Sequence, residues 1–358
     1  MNVHLILLLI LILLNLIPEH SIDRRKYILP FSFLLVLCYW GFRFDYGLDF
    51  WSYQYVHERV ENPDYFDSEI LFYKLIKAFP YFYQFIFFQS FTVLACLFYL
   101  VRKYIPPKYY WVFFYLLFME SGMTFNMISA LRSTFAACII WVGYDLFYIS
   151  KKNYIFLFPL IFIASLFHTS ALSFLIFPIL ERWTGRLKAN TMLVIYIIAD
   201  IISVFFTIDI FSNIVGSIDP MMKYQGHASG IENATLFGAL HKALWIVPAY
   251  CISKYRDYDS NNDNTIYSFT TIFFILFFLG LTFQQRFTTY LFPFAIIALC
   301  KSMPNMPRNS RIICFVFIFA VTIFNMYLIY TGLFNHLKDK YSDGNYLFYH
   351  TIFEQPFL

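Results

Sequence analysis

Charge is what this chain has least of. Asp, Glu, Lys and Arg make up 13% of its 358 residues, against about 25% in an ordinary soluble domain. Apolar residues take up the difference at 60%, 23% being aromatic, and the mean hydropathy is +0.60. A water-soluble enzyme is excluded on those grounds, and the expected fold class is an all-α polytopic integral membrane protein. Glycine is scarce too, at 12 residues. No Walker loop, GxGxxG or GxSxG occurs, so ATP-driven transport and a Rossmann-type transferase have no footing. HExxH and His–Cys clusters are also missing, and the six cysteines (Cys38, Cys96, Cys138, Cys251, Cys300, Cys314) all lie inside apolar runs. They read as small membrane hydrophobes, and no metal or other cofactor is expected. The run Leu5–Ile17 lacks both a basic segment before it and a small-residue cleavage site after it. It therefore reads as a retained first helix. The formal charge of +4 is modest and implies no nucleic-acid partner.

What the chain does have is apolar segments in series. A helix crossing about 30 Å of hydrocarbon needs roughly 20 residues. Twelve segments are expected to span or enter the bilayer: 1–18, 27–42, 81–101, 109–125, 130–150, 154–168, 169–180, 190–207, 239–253, 266–283, 287–301 and 311–333. Basic residues collect in alternate short connections: Arg24-Arg25-Lys26, Arg102-Lys103 with Lys108, Lys151-Lys152, Arg182 with Arg186 and Lys188, Lys254 with Arg256, and Lys301 with Arg308 and Arg311. The positive-inside rule assigns that set to the cytoplasm. One polytopic domain over 1–358 results, with external loops at 43–80 and 208–238 and an external tail at 334–358.

The hairpin from Lys152 to Glu181 is too short for two full spans of roughly 20 residues each. Its apex at His168 rises only about 20–24 Å from the cytoplasmic edge, and Arg286 about 22 Å from Lys301. Arg43 and Arg132 rise about 26 and 28 Å. Polar residues gathered toward the outer leaflet imply a water-filled recess open to the outside, because charge and irregular backbone at such depth need one.

Each of these residues has a plain reading beside a chemical one. In Arg43-Phe-Asp45-Tyr-Gly47-Leu-Asp49-Phe-Trp-Ser-Tyr53, an interfacial belt accounts for the aromatics and a snorkelling arginine. Two Asp and a Gly exceed what a belt requires. Asp45 and Asp49 suit holding arginines or sugar hydroxyls, and Tyr53 suits stacking on a sugar ring. Arg132 and Arg286 are external anchors or ion-pair partners on one reading. On the other they bind phosphate, which a planar guanidinium grips through paired hydrogen bonds at any working pH. His168 either satisfies a helix break or acts as a general base. Loop 208–238, with Lys223-Tyr224, His227 and Glu232, is a lid, an acceptor-binding surface or an ordinary loop. Asp145 is expected to pair with Lys151 or Lys152.

Four patches in order carry a resemblance: Arg43 with Gly47-Leu-Asp49 and Tyr53; Ser129-Ala-Leu131-Arg132; Phe167-His168-Thr-Ser170-Ala171-Leu172; and Arg286 with Tyr290. In these the chain resembles the EpsG-like branch of the Wzy polymerases of bacterial O-antigen, capsule and exopolysaccharide synthesis. It departs from the family's usual pattern at Leu48, where Thr is frequent, and at Ser133, where Gln is. The resemblance implies a GT-C-like fold in the bacterial inner (cytoplasmic) membrane and a cofactor-free glycosyltransferase working at the periplasmic face. The implied donor and acceptor are undecaprenyl-diphosphate-linked oligosaccharides, and a chain-length regulator is an implied partner. Arg43, Arg132, Arg286 and His168 would form the catalytic set. Asp45, Asp49, Tyr53, Lys223, Tyr224 and Tyr290 would bind substrate.

Other readings share parts of this pattern. An O-antigen ligase uses the same donor with lipid A–core as acceptor. A lipid-linked oligosaccharide flippase would show repeated halves and polar residues in both leaflets. A membrane scaffold would tolerate loss of any one arginine.

Overall fold

The computed structural model describes residues 3–47, 49–61, 69–149, 154–185, 187–205, 241–256, 261–279, 284–330 and 350–351. Helix dominates it, because a chain this apolar satisfies its backbone most cheaply within each segment. Two compact units emerge: Met1–Pro178 with Thr322–Leu358, and Ile179–Val321.

The first unit begins with α1 (Val3–Leu16) and α2 (Leu29–Gly41). Two short helices follow, α3 (Phe50–Arg59) and α4 (Ile70–Lys77), and then the long α5 (Phe82–Tyr104). After these come α6 (Tyr110–Met119), α7 (Ser121–Ser129), α8 (Leu131–Gly143) and α9 (Tyr154–Ser165), with a 3₁₀ stretch Thr169–Leu175 beyond. α2 and α8 both pack on α5, α6 packs on α1, and α9 packs on α8. At the α8–α9 contact, a Cβ on Gly143 would stand 2.1 Å from Leu160 Cδ1, so the Leu160 side chain occupies the space that glycine leaves. Arg43–Phe44 pairs antiparallel with His350–Thr351 of the C-terminal segment.

The second unit holds α11 (Ala189–Phe205), α12 (Ile246–Lys254), α13 (Asn261–Leu279) and α14 (Gln284–Ser302). α13 packs on both α11 and α14. The unit boundaries fall in α10 (Phe177–Thr184) and α15 (Arg308–Tyr330). In this unit Asp200 lies 3.5 Å from Lys242, a pairing that sequence alone leaves unassigned.

Among the described residues, α5 and the Arg308–Asn325 part of α15 are long and apolar enough to cross a membrane. Shorter apolar helices occupy Val3–Leu16, Ile155–Ser165, Ala189–Ser203 and Asn264–Leu279. Several expected spans are interrupted for visible reasons. Segment 109–125 breaks at Glu120, whose φ/ψ of −79°/111° separates α6 from α7. α8 passes into a π-helical turn at Tyr144–Ile149. Outward faces are apolar, with Leu13, Ile155, Phe162, Ile179 and Ile323 all exposed, while much of the polar chemistry is turned inward. A soluble fold does the reverse.

The segment expected as the first external loop contains helices with a core of its own. Phe50, Tyr53 and Val56 of α3, Phe72, Tyr73 and Ile76 of α4, Phe82 and Phe85 of α5, and Leu131 and Phe135 of α8 form one buried cluster. Such packing gives the segment fixed side-chain positions that an open loop would lack. At the other end of α5, Asp145 is fully buried and pairs with Lys103 at 2.6 Å. Tyr99 and Tyr104 also donate their hydroxyls to it. The expected partners Lys151 and Lys152 lie outside the described residues.

Candidate functional site

Arg132 sits in the first turn of α8, just after Ala130, whose φ/ψ of −89°/66° divides α7 from α8. Arg43 and Gly47 hold that turn in place. Arg43 is 1% exposed. Its Nη1 donates to Trp40 O at 2.6 Å and Ser90 Oγ at 2.8 Å. Its Nη2 donates to Gln89 Oε1 at 3.3 Å and Ile128 O at 3.2 Å. Gln89 Nε2 adds a bond to Met127 O at 3.0 Å. The last carbonyls of α7, which a helix end leaves without intrahelical partners, are thus taken up by α2–α5 side chains. Gly47 has φ +123° and lies so close that a Cβ there would stand 2.9 Å from Ile128 O. Both the conformation and the space exclude a side chain.

His168 stands between α9 and the 3₁₀ stretch Thr169–Leu175, in extended conformation, φ −157°, ψ 123°. The apex carrying it is tied to α4 by Leu71 N donating to Leu166 O at 3.1 Å. That bond brings the residue before α4, Glu69, under both Arg132 and His168. Arg132 Nη1 donates to Glu69 Oε2 at 2.5 Å. His168 Nδ1 bonds Glu69 Oε1, and Thr169 N donates to the same oxygen at 3.2 Å. The carboxylate is almost wholly enclosed, as is the imidazole, while the Arg132 side chain remains 35% exposed. Burial alone would raise the Glu69 carboxyl. The His168 hydrogen bond, the charges of His168 and Arg132, and the Thr169 N–H outweigh it and hold the group at about 2, against an ordinary 4.5.

Tyr53 points from α3 into the same cluster. It is buried and hydrogen-bonds Arg132, and burial raises its hydroxyl above its ordinary value despite that nearby charge. Asp49, half-buried at the start of α3, lies close enough to act on Tyr53 electrostatically. Asp45 is half-buried with φ +49°. This puts it in the left-handed region that Asp tolerates better than most residues. Ser133 turns its hydroxyl back onto Ala130 O at 3.0 Å.

The expected residues fall in both units. Arg132, His168 and Tyr53 meet in one cluster of the first unit, with Asp49 at its edge and Arg43 beneath it. Arg286 and Tyr290 share α14 in the second unit; Tyr290 is fully buried, and Arg286 falls in the helix's first turn. Lys223 and Tyr224 lie outside the described residues, as does all of 208–238. Glu69 belongs to none of the sequence patches. Its one signal in the sequence is an acid standing directly before the apolar run Ile70–Tyr73, where burial demands a cationic or hydrogen-bonding partner.

Arg132 offers a partly exposed guanidinium for an anion. His168 offers a ring nitrogen for a proton, and Glu69 offers a counter-charge that holds both. Among the described residues, no group of three or more His, Cys, Asp and Glu is arranged to hold a metal ion. Searches of curated proteins and of solved structures returned no match to the chain. A family model, that of the EpsG family, matches residues 26–346. Since that covers nearly the whole length, the chain belongs to the EpsG family.

Proposed function

We propose that this protein is a Wzy-type repeat-unit polymerase. It would transfer a glycan from undecaprenyl diphosphate onto the non-reducing end of another lipid-linked repeat unit at the periplasmic face of the inner membrane. EpsG membership supports a polysaccharide-polymerase role and lipid-linked saccharide substrates in general. The apolar helices with outward apolar faces mark a membrane protein. The twelve-segment, GT-C-like arrangement belongs to the same proposal. The observation that carries the site assignment is the convergence of Arg132 and His168, from different helices, on one buried carboxylate.

In the proposed step, the acceptor hydroxyl attacks the anomeric carbon of the donor sugar. A new C–O bond forms while the bond from the anomeric carbon to the diphosphate oxygen breaks, its electron pair leaving with the lipid diphosphate. The hydroxyl proton passes to His168. Arg132 faces the charge growing on the leaving group, and fixed charge at that position is worth about 10²–10³ in rate. The donor is already activated, so arginine charge serves without a metal or nucleotide. Tyr53 steadies Arg132, and Asp45 and Asp49 meet sugar hydroxyls. Arg43 takes a positioning role, because both its Nη groups donate to the protein. Arg286, Tyr290, Lys223 and Tyr224 keep the roles that the sequence suggests.

The test is polymerisation by the purified full-length protein in liposomes. The substrate is the lipid-linked repeat unit extracted from cells lacking the gene. Growth of multi-unit glycan on lipid, with no other acceptor present, is the expected result. Transfer that occurs only when lipid A–core is added would overturn polymerase in favour of ligase.

A further inference from the structure

Among the groups in this cluster, Glu69 is the one with no counterpart in the sequence reading. It is an acid 3% exposed, in a chain where charge is rare. One oxygen faces Arg132 and the other faces His168. Its backbone is fixed as well. Glu69 O accepts from Phe72 N at 3.1 Å, and the next residue but one bonds the His168 apex. A carboxylate held this firmly does more than neutralise an arginine. An imidazole whose Nδ1 faces a carboxylate donates its proton there, because a carboxylate can only accept. The Nε2 lone pair is then the one that can receive a proton from substrate, and the carboxylate stabilises the imidazolium that results.

We infer that Glu69 is the positioning residue of this site, fixing the His168 tautomer through Nδ1 while orienting the Arg132 guanidinium through its second oxygen. The inference rests on the reading of His168 as the acceptor base. It adds a dependence that this reading alone does not contain: both halves of the site fail together when the carboxylate is lost, yet they fail differently. An amide at this position keeps the shape; with its oxygen held by the charged Arg132, its NH₂ faces Nδ1 at the cost of the Thr169 N–H bond, which moves the imidazole proton to Nε2 and removes the base. An aspartate keeps the charge with a shorter reach.

The experiment uses the full-length protein in liposomes with lipid-linked repeat unit extracted from cells lacking the gene. Wild type, Glu69→Gln, Glu69→Asp and His168→Gln are compared. Kinetics are read as kcat and KM for that lipid, and the ring nitrogens of ¹⁵N-histidine-labelled protein are read by NMR. Subtraction of the His168→Gln spectrum identifies the His168 signals. Glu69→Gln is expected to lower kcat at least 100-fold with KM changed less than tenfold, and to shift the imidazole proton from Nδ1 to Nε2. Glu69→Asp is expected to recover at least tenfold of the loss. Glu69→Gln with wild-type kcat, or with the His168 proton still on Nδ1, overturns the inference. So does a Glu69→Gln protein that fails to accumulate while Glu69→Asp accumulates normally with the same kcat loss and an unmoved Nδ1 proton. Full activity in His168→Gln would instead overturn the base assignment in the proposed function, which separates the two failures.

Discussion

Replacing Arg43 separates a structural arginine from one that touches substrate, and the two roles make opposite demands. Its guanidinium is 1% exposed and donates to Trp40 O, Ser90 Oγ, Gln89 Oε1 and Ile128 O. Arg43→Ala strands those acceptors, two of them backbone carbonyls, in a site that water does not reach. Each lost bond to a charged donor is worth about 1.5–3 kcal/mol, so stranding even two of the four acceptors costs about 3–6 kcal/mol. A loss of that size is a large share of the 5–15 kcal/mol that holds a domain together. Arg43→Ala is therefore expected to lower the thermal midpoint of the detergent-solubilised protein by at least 5 °C and to reduce its amount in the membrane. Arg43→Lys keeps the charge without the fork and should fall between the two. The assay is thermal unfolding followed by tryptophan fluorescence, alongside polymer yield per folded protein. A wild-type midpoint with lost activity would refute the reasoning and return Arg43 to the substrate.

Three further outcomes follow from the same contacts. Because the folded Glu69 carboxyl sits at about 2 against an ordinary 4.5, its contribution to stability is complete above pH 4.5 and is lost as pH falls toward 2. It amounts to about 3 kcal/mol. Glu69→Gln should flatten the fall of the melting midpoint across that window, and an unchanged slope would deny the carboxylate its buried pairs. Gly47→Ala adds a Cβ 2.9 Å from Ile128 O at φ +123°, costing about 1–3 kcal/mol. It should depress polymer yield per molecule through the displaced Ile128–Leu131 turn; normal yield at normal expression would count against that coupling. Asp145→Asn removes the charge that pairs with Lys103 and leaves one amide oxygen for the two tyrosine hydroxyls, on the far end of α5 from Arg43's partner Ser90. Reduced protein level with normal glycan length per molecule is expected, and shortened chains would be the contrary result.

How much of this was legible beforehand differs by residue. Apolar composition sufficed for helices and a membrane, because no other arrangement satisfies the backbone of such segments. The turn before Arg132 and the break at His168 were visible as polar residues between apolar runs. The helices of 43–80 were not: α3 reads FWSYQYVHER, and its periodicity emerges only once Phe50, Tyr53 and Val56 have α4 and α5 to pack on. The burial of Arg43 was equally hidden, since an arginine at a helix end looks the same whether it faces a recess or the acceptors Gln89 and Ile128. Glu69 went unread because it belongs to none of the four patches. Its partners stand 63 and 99 residues away in sequence, and only the fold brings this acid beneath a helix start and a helix break. Hydropathy marks apolar runs but not the breaks inside them, such as the one at Glu120 that divides segment 109–125.

The central claim is that Arg132 and His168 drive repeat-unit polymerisation from one site, and the most direct measurement of it is the cell-surface glycan ladder on a gel. Cells lacking the gene would be rescued with wild type, Arg132→Ala or His168→Ala at matched protein levels. The account predicts a full ladder with wild type and, with either variant, single repeat units in place of the ladder. A full ladder from both variants would contradict it.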